Sequence, residues 1–298
     1  MTIKEALEDY ILDHKCRGSS PHTIAFYRQT LGEFVRTVGE INSDALTLRL
    51  CREYVLALTE DESKNSVTVQ DYVRALRAFL NWLCDNGHTA ERLTTQIRLP
   101  KARATVKDVL TPAEIEKLFA ALPDSFEGKR NAAMLSLMLG SGLRREEVIT
   151  LRTDCLHIPE GYALVTGKGN KQRYVPVGAL AAERLQAYLQ IRPQSDLPQV
   201  FLKADGSAVT VDTLKNLFRK LKNRTGIERL HAHLLRHTFA TVYLVNSGDM
   251  LTLKTILGHT SLKMVEHYVH FAPAYVLRNF DEYSPLNFSA WKVRGLSQ

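Results

Sequence analysis

His233, Arg236, His259 and Tyr268, all in the last third of the chain, have the side-chain chemistry needed to hold and attack a phosphodiester. Arginine presents a planar fork of donors that matches two phosphate oxygens, histidine can give or take a proton near neutrality, and a tyrosine hydroxyl can act as a nucleophile. Two more basic residues stand upstream in distinctive settings. Arg144 follows Gly142, where a sharp turn can project it from the start of a helix, and Glu147 three residues on shares its face and can orient it. Lys168 lies in Thr166-Gly167-Lys168-Gly169-Asn170-Lys171, at the tip of an expected β-hairpin, where it can swing toward phosphate and where desolvation brings an amine toward proton-donating range.

Each of these residues has an ordinary reading when taken alone. Arg144 with Glu147 also describes a surface ion pair, and Lys168 an exposed turn. A tyrosine or histidine in an amphipathic segment is commonly packing or capping. His231, His233 and His237, with His267 and His270 beyond, raise a zinc alternative, but no carboxylate or cysteine completes a ligand set and Arg236 would repel the ion, so no metal is expected. The hairpin tip lacks the GxxxxGK[ST] order of a nucleotide loop. His233 and Arg236 instead share a helix face near its first turn, where unsatisfied amides favour an anion.

The elements that must position these residues fall into two groups. Helices are expected over Thr2 to Lys15, from Pro21 behind a Ser20 cap to Gly39, over Ser43 to Leu58, and over Ser66 to Asn86. In the last, Val69, Tyr72, Val73, Leu76, Phe79, Leu80 and Leu83 form one apolar stripe. Periodicity fails between about His88 and Asp108, where Arg98, Lys101, Arg103 and Lys107 read as a basic tether. Thr111-Pro112-Ala113-Glu114 is a capping box that opens a second domain. Helices run from there to Leu139, a strand is expected at Cys155 to Ile158, and a hairpin spans Tyr162 to Val177. Helical segments broken at Gly226, Gly248 and Gly258 follow.

Composition sets the outer bounds. The 298 residues, 45% hydrophobic and 24% charged, suit a two-domain globular protein. No apolar run approaches the roughly 20 residues of a membrane span and no basic-then-apolar leader opens the chain, so a cytoplasmic location is expected. Cys16, Cys51, Cys84 and Cys155 are widely spaced and expected to be reduced thiols. The net charge of +7 is uneven: residues 1–100 hold 12 Lys/Arg against 14 Asp/Glu, leaving +9 for the remainder. Lys215, Arg219, Lys220, Lys222, Arg224 and Arg229 cluster with Glu228 as the only acid among them, which suits a polyanionic partner.

Five segments together resemble the tyrosine recombinases of the phage-integrase superfamily, in particular their Xer-like two-domain members. They are SGLRREEV at 141–148, TGKGNKQRYVPV at 166–177, HLLRHTFAT at 233–241, LGH at 257–259 and EHYVH at 266–270, in the family's order and spacing. Arg145-Glu146 and Glu266-His267 are the loosest matches. The resemblance implies a mainly α fold with a small antiparallel β-sheet. A helical, SAM-like core-binding domain would occupy 1–92, a basic linker 93–108, an α+β catalytic domain 109–274, and a tail docking on a neighbouring protomer 275–298.

The activity implied is site-specific DNA strand cleavage and rejoining through a 3′-phosphotyrosine, with no cofactor, ATP or metal. Tyr268 would be the nucleophile, Arg144 and Arg236 the phosphate clamp, Lys168 the leaving-group acid, His233 and His259 donors or proton carriers, and Glu147 an orienting residue. Arg98, Lys101, Arg103, Lys171, Arg173, Lys215, Arg219 and Lys220 are the candidate DNA contacts. The implied partners are double-stranded DNA bearing a recombination site and three further copies of the chain, as a homotetramer on two sites in the cytoplasm, associated with the nucleoid. Chromosome-dimer resolution, phage integration and movement of a mobile element are not separated by sequence. A type IB topoisomerase, which relaxes DNA without exchanging partners, is the nearest alternative. A DNA-binding protein with an inactive site and a zinc nuclease stand behind it.

Overall fold

The computed structural model describes residues 1–298 except 91, 102–108, 168–170, 247, 260, 263, 264, 266, 267 and 269–298. The chain divides into two compact units, Met1–Thr105 and Val106–Gln298.

In the first unit, strong caps fix where helices begin. Helix α1 (Ile3–Cys16) starts in a Thr2/Glu5 capping box, and α2 (Pro21–Val38) starts behind Ser20, whose hydroxyl accepts from the Thr23 amide. Helix α3 (Leu48–Glu60) begins later than the sequence suggests: Ser43–Ala45 form a short 3-10 turn, and the Thr47 hydroxyl supplies the cap. Helix α4 (Ser66–Asp85) buries the whole stripe expected of it, from Val69 to Leu83. Tyr10 packs edge-on against Tyr27, Phe79 and Trp82, tying α1, α2 and α4 together.

The expected tether from residue 93 is in its first half part of this core. Leu93, Thr94 and Ile97 are buried and the Gln70 amide donates to the Pro100 carbonyl at 2.7 Å. Two apolar anchors outweigh the polar look of the segment. Arg98 and Lys101 are exposed, and Arg103 lies outside the described residues.

The second unit begins with α5 (Pro112–Ala120), set by the Thr111/Glu114 capping box, and α6 (Phe126–Gly140), its most buried helix. After the short α7 (Arg145–Thr150) comes a three-stranded antiparallel sheet in the order β1 (Leu156–His157), β2 (Tyr162–Thr166), β3 (Gln172–Pro176). Ala163 pairs with Val175 and Thr166 with Gln172, which fixes the hairpin whose tip lies outside the described residues. Helices α8 (Ala179–Leu189), α9 (Val211–Thr225), α10 (Ala232–Val245) and α11 (Met250–Leu257) complete the unit. The main core includes Leu135, Tyr188, Phe201 and Leu235, while Ala240, Leu244, Leu253, Leu257, Val265 and Tyr268 form a smaller one beside it. No helix among the described residues is long and apolar enough to cross a membrane.

Candidate active site

Four segments of the second unit converge: the α6–α7 turn, strand β3, the start of α10, and the end of α11 with the residues beyond it. Gly142 makes the turn possible. Its φ of +66° is left-handed, and a Cβ there would sit 2.5 Å from Phe239 Cδ1, so no side chain fits. The turn delivers Arg144 as the N-cap of α7, with its own amide donating to Glu147 Oε2 and its guanidinium to Glu147 Oε1, both at 2.8 Å.

Glu147 is buried, with 3% of its side chain exposed, yet it is fully paired. Besides Arg144 it accepts two parallel bonds from Arg173, Nη1 to Oε1 at 2.8 Å and Nη2 to Oε2 at 2.9 Å. Burial alone would raise its pKa, but the two guanidiniums and the Arg144 amide overcome that and hold the carboxyl down to about 2.

Arg236, on the first turns of α10, is 2% exposed. Nη1 donates to the Gly142 carbonyl at 2.6 Å and Nη2 to the Leu257 carbonyl at 2.7 Å, so the buried guanidinium is hung from backbone oxygens rather than from a carboxylate. Burial and then the nearby Arg144 bring its pKa down to about 10, so it remains a cation, with its charge uncompensated at contact distance among the described residues.

His259 follows Gly258, the left-handed cap of α11. Its Nε2 lies 3.1 Å from Arg236 Nη2, and because a guanidinium can only donate, Nε2 accepts and the ring proton is on Nδ1. That Nδ1 is buried with no partner among the described residues. Burial, then Arg236 and Arg144, push the His259 pKa down to about 4, so near neutrality the ring is a neutral donor.

Tyr268 is 7% exposed, packed between the rings of His237 at 5.3 Å and His259 at 6.3 Å, the latter nearly parallel. Burial raises its pKa, while Arg236 and then Arg144 draw it back.

The expected residues are not all placed alike. Arg144, Glu147, Arg236, His259 and Tyr268 come together. His233 is exposed on the first turn of α10, and Lys168 lies outside the described residues, although the hairpin stem that leads to it, Gly167 N to Lys171 O at 2.8 Å, abuts Glu147. Lys171, Lys215, Arg219 and Lys220 are exposed, Lys215 being paired with Asp212. Arg173, expected as a DNA contact, is instead found with only 10% of its side chain exposed and with three of its N–H groups donated to Glu147 and the Ile256 carbonyl. The strand's alternation, with Gln172, Tyr174 and Pro176 outward and Val175 inward, is the signal that points Arg173 inward. His237, considered above only as a metal ligand, is a ring neighbour of Tyr268 instead. The described residues contain no group of side chains suited to hold a metal.

Residues 108–274 match the model of the phage integrase family. The tyrosine recombinase XerC of Alcanivorax borkumensis is 30% identical over 276 residues, covering 90% of each chain. The tyrosine recombinase XerD of Listeria monocytogenes is 32% identical over 265 residues, covering 85% of this chain and 89% of that one. In fold, the chain is similar to the Tn1549 transposon integrase in complex with circular intermediate DNA, with a TM-score of 0.74 at 19% identity over 90% of this chain and 95% of that one. It is also similar to the XerH site-specific recombinase bound to its difH substrate, with a TM-score of 0.70 at 21% identity over 91% and 82%.

Proposed function

Because the chain belongs to the phage integrase family of tyrosine recombinases, we infer that its activity is site-specific recombination of DNA, and that Tyr268 and the groups around it carry out the strand cleavage. The buried Arg236, a cation bonded to carbonyls and flanked by the His259 Nδ1 donor and the Tyr268 ring, is the observation that supports this reading most.

In the proposed reaction the Tyr268 hydroxyl oxygen attacks a DNA phosphorus and gives up its proton. A P–O bond to Tyr268 forms as the bond to the 5′-oxygen breaks, leaving a 3′-phosphotyrosine and, after protonation by Lys168, a 5′-hydroxyl. Attack by a second 5′-hydroxyl reverses the step on a new partner. One phosphoester is exchanged for another, so no ATP is consumed. Arg236 and Arg144 face the charge that grows on the nonbridging oxygens in the pentacoordinate state, and His259 donates Nδ1–H to one of them. His233 serves as a further donor. The absence of net hydrolysis makes the dry surroundings of Tyr268 useful, since water would compete with the incoming 5′-hydroxyl.

The duplex is held by the exposed cations Arg98, Lys101, Lys171, Lys215, Arg219 and Lys220, with Arg103, in a protein that works where the nucleoid lies. The tail of residues 275–298 carries Val276, Leu277, Phe280, Tyr283, Leu286 and Phe288. An apolar groove of about 450 Å³ lined by Ile115, Leu139, Phe239, Val242 and Tyr243 is a receptor of matching character. Docking of each tail in a neighbour's groove would close a homotetramer on two sites.

The test is to incubate the protein with sheared host DNA, recover adducts that survive denaturant, and sequence them. The wild type is expected to be linked at a defined sequence, and Tyr268→Phe to bind that sequence without linkage. An adduct that persists in Tyr268→Phe would show that another residue is the nucleophile. Relaxation of a plasmid lacking the recovered sequence would favour the topoisomerase alternative.

A further inference from the structure

Like Arg236, Arg173 binds two of the converging segments while belonging to a third. From β3, three residues past the hairpin tip, it donates Nε–H to the Ile256 carbonyl at 2.7 Å and grips Glu147 with both terminal nitrogens. Glu147 in turn fixes the amide and guanidinium of Arg144. At the other end, Ile256 lies three residues before His259, and a Cβ on Gly258 would come within 3.0 Å of Arg173 Cδ, so the αL cap that turns the chain toward His259 packs on this side chain. A surface salt bridge is weak and replaceable, but this guanidinium is 90% buried with three bonds in fixed directions.

We propose that Arg173 is a positioning residue for strand cleavage: it locks strand β3, the Glu147–Arg144 pair and the α11 end that carries His259 into one register. This rests on the recombinase reading given above. A phosphoryl-transfer site works by placement, and misplacement of its groups by about 1 Å costs about 100-fold in rate. With its side chain 10% exposed and bonded to Glu147 and the Ile256 carbonyl, Arg173 acts through those groups, and its loss should therefore slow chemistry without weakening DNA binding.

The experiment uses a nicked duplex built on the sequence recovered by adduct trapping. Single-turnover cleavage at saturating DNA is measured for the wild type, Arg173→Met, Arg173→Lys, Glu147→Gln, and Arg173→Met with Glu147→Gln. Duplex affinity is measured for the same set in the Tyr268→Phe background. Arg173→Met is expected to cleave about 10- to 100-fold more slowly with affinity within about twofold. Arg173→Lys should be equally slow, because one ammonium cannot reach Glu147 and the Ile256 carbonyl together, and it retains the charge should the Met variant fold poorly. The double substitution should be little slower than the worse single one, since both act through the same unit.

Near-normal cleavage by Arg173→Lys, or a loss of affinity that accounts for the slower reaction, would overturn the proposal, the second making Arg173 a DNA contact after all. Multiplicative single effects would overturn it too. If the wild type itself forms no adduct on any DNA, it is the recombinase reading that fails.

Discussion

At the scale of single residues, the site is governed by where cations are left without a carboxylate. Glu147, a single carboxylate, is shared by Arg144 and Arg173, and no carboxylate among the described residues touches Arg236, which in the proposed reaction would face the scissile phosphate. His259 carries a pH signature of this arrangement. Its imidazole accepts a proton near 6.5 when unfolded and only near 4 in the fold, so the unfolded chain binds more protons between those values. Its contribution to stability is therefore complete above about pH 6.5 and declines as pH falls toward 4. Melting temperatures of the wild type and His259→Gln followed from about pH 7 to about pH 4.5 should converge on acidification. A constant offset would mean that His259 does not titrate as described. Gly142 makes a second prediction: Gly142→Ala combines a left-handed alanine with a 2.5 Å clash against Phe239. Together these should cost about 2–5 kcal/mol in denaturant unfolding and displace the carbonyl that holds Arg236. A variant as stable and as active as the wild type would contradict the described turn.

At the scale of elements, what decides the fold is how each segment is started and pinned. The second unit is entered through Leu110, whose buried amide donates to the Thr238 hydroxyl on α10 at 3.0 Å while that hydroxyl donates to the Leu234 carbonyl. Thr238→Val keeps the shape and strands the amide, which should lower unfolding stability by about 1–3 kcal/mol and speed hydrogen exchange at Leu110. An unchanged denaturation midpoint with full protection would show the bond to be dispensable. The same logic separates what the sequence makes legible from what it hides. Helices α2 and α5 announce themselves through Ser20-Pro21 and Thr111-Pro112, and the hairpin through alternation around glycines. Helix α8 has no such marker, since Gly178 caps it without a side-chain bond. Helix α3 is shifted because Thr47, not an earlier serine, supplies the cap. In the candidate site, residue types identify Arg236 and Tyr268, whereas the roles of Gly142, Leu257 and Ile256 are played by backbone carbonyls, to which residue type gives no clue. Arg173 lies between these cases: its charge suggests DNA and its strand parity points inward, and burial decides for the latter.

At the scale of the whole molecule, the proposed nucleophile, Tyr268, is 7% exposed between two histidine rings, so in the proposed reaction the site has to be opened or realigned before it can act. The proposed exchange of tails links that change to assembly, because residues 275–298 begin only seven positions after Tyr268 in sequence. A head-to-tail contact closes into a ring only if every protomer both gives a tail and accepts one. Two variants divide those roles. A chain ending at Pro273 keeps the groove and cannot donate. Full-length Val242→Glu donates but carries a charge in the groove, at a position already 39% exposed and therefore tolerant of it. On DNA carrying the recovered site, the wild type should reach four protomers with two duplexes in mass photometry. Each variant alone should stop at the species that DNA binding by itself provides. Mixed, they should form a heterodimer through the one contact that both intact parts allow, and go no further. If the truncated chain assembles tetramers as the wild type does, or if mixing produces no heterodimer, the tail does not dock on a neighbour, and the groove is filled from within the same chain or by nothing that assembly requires.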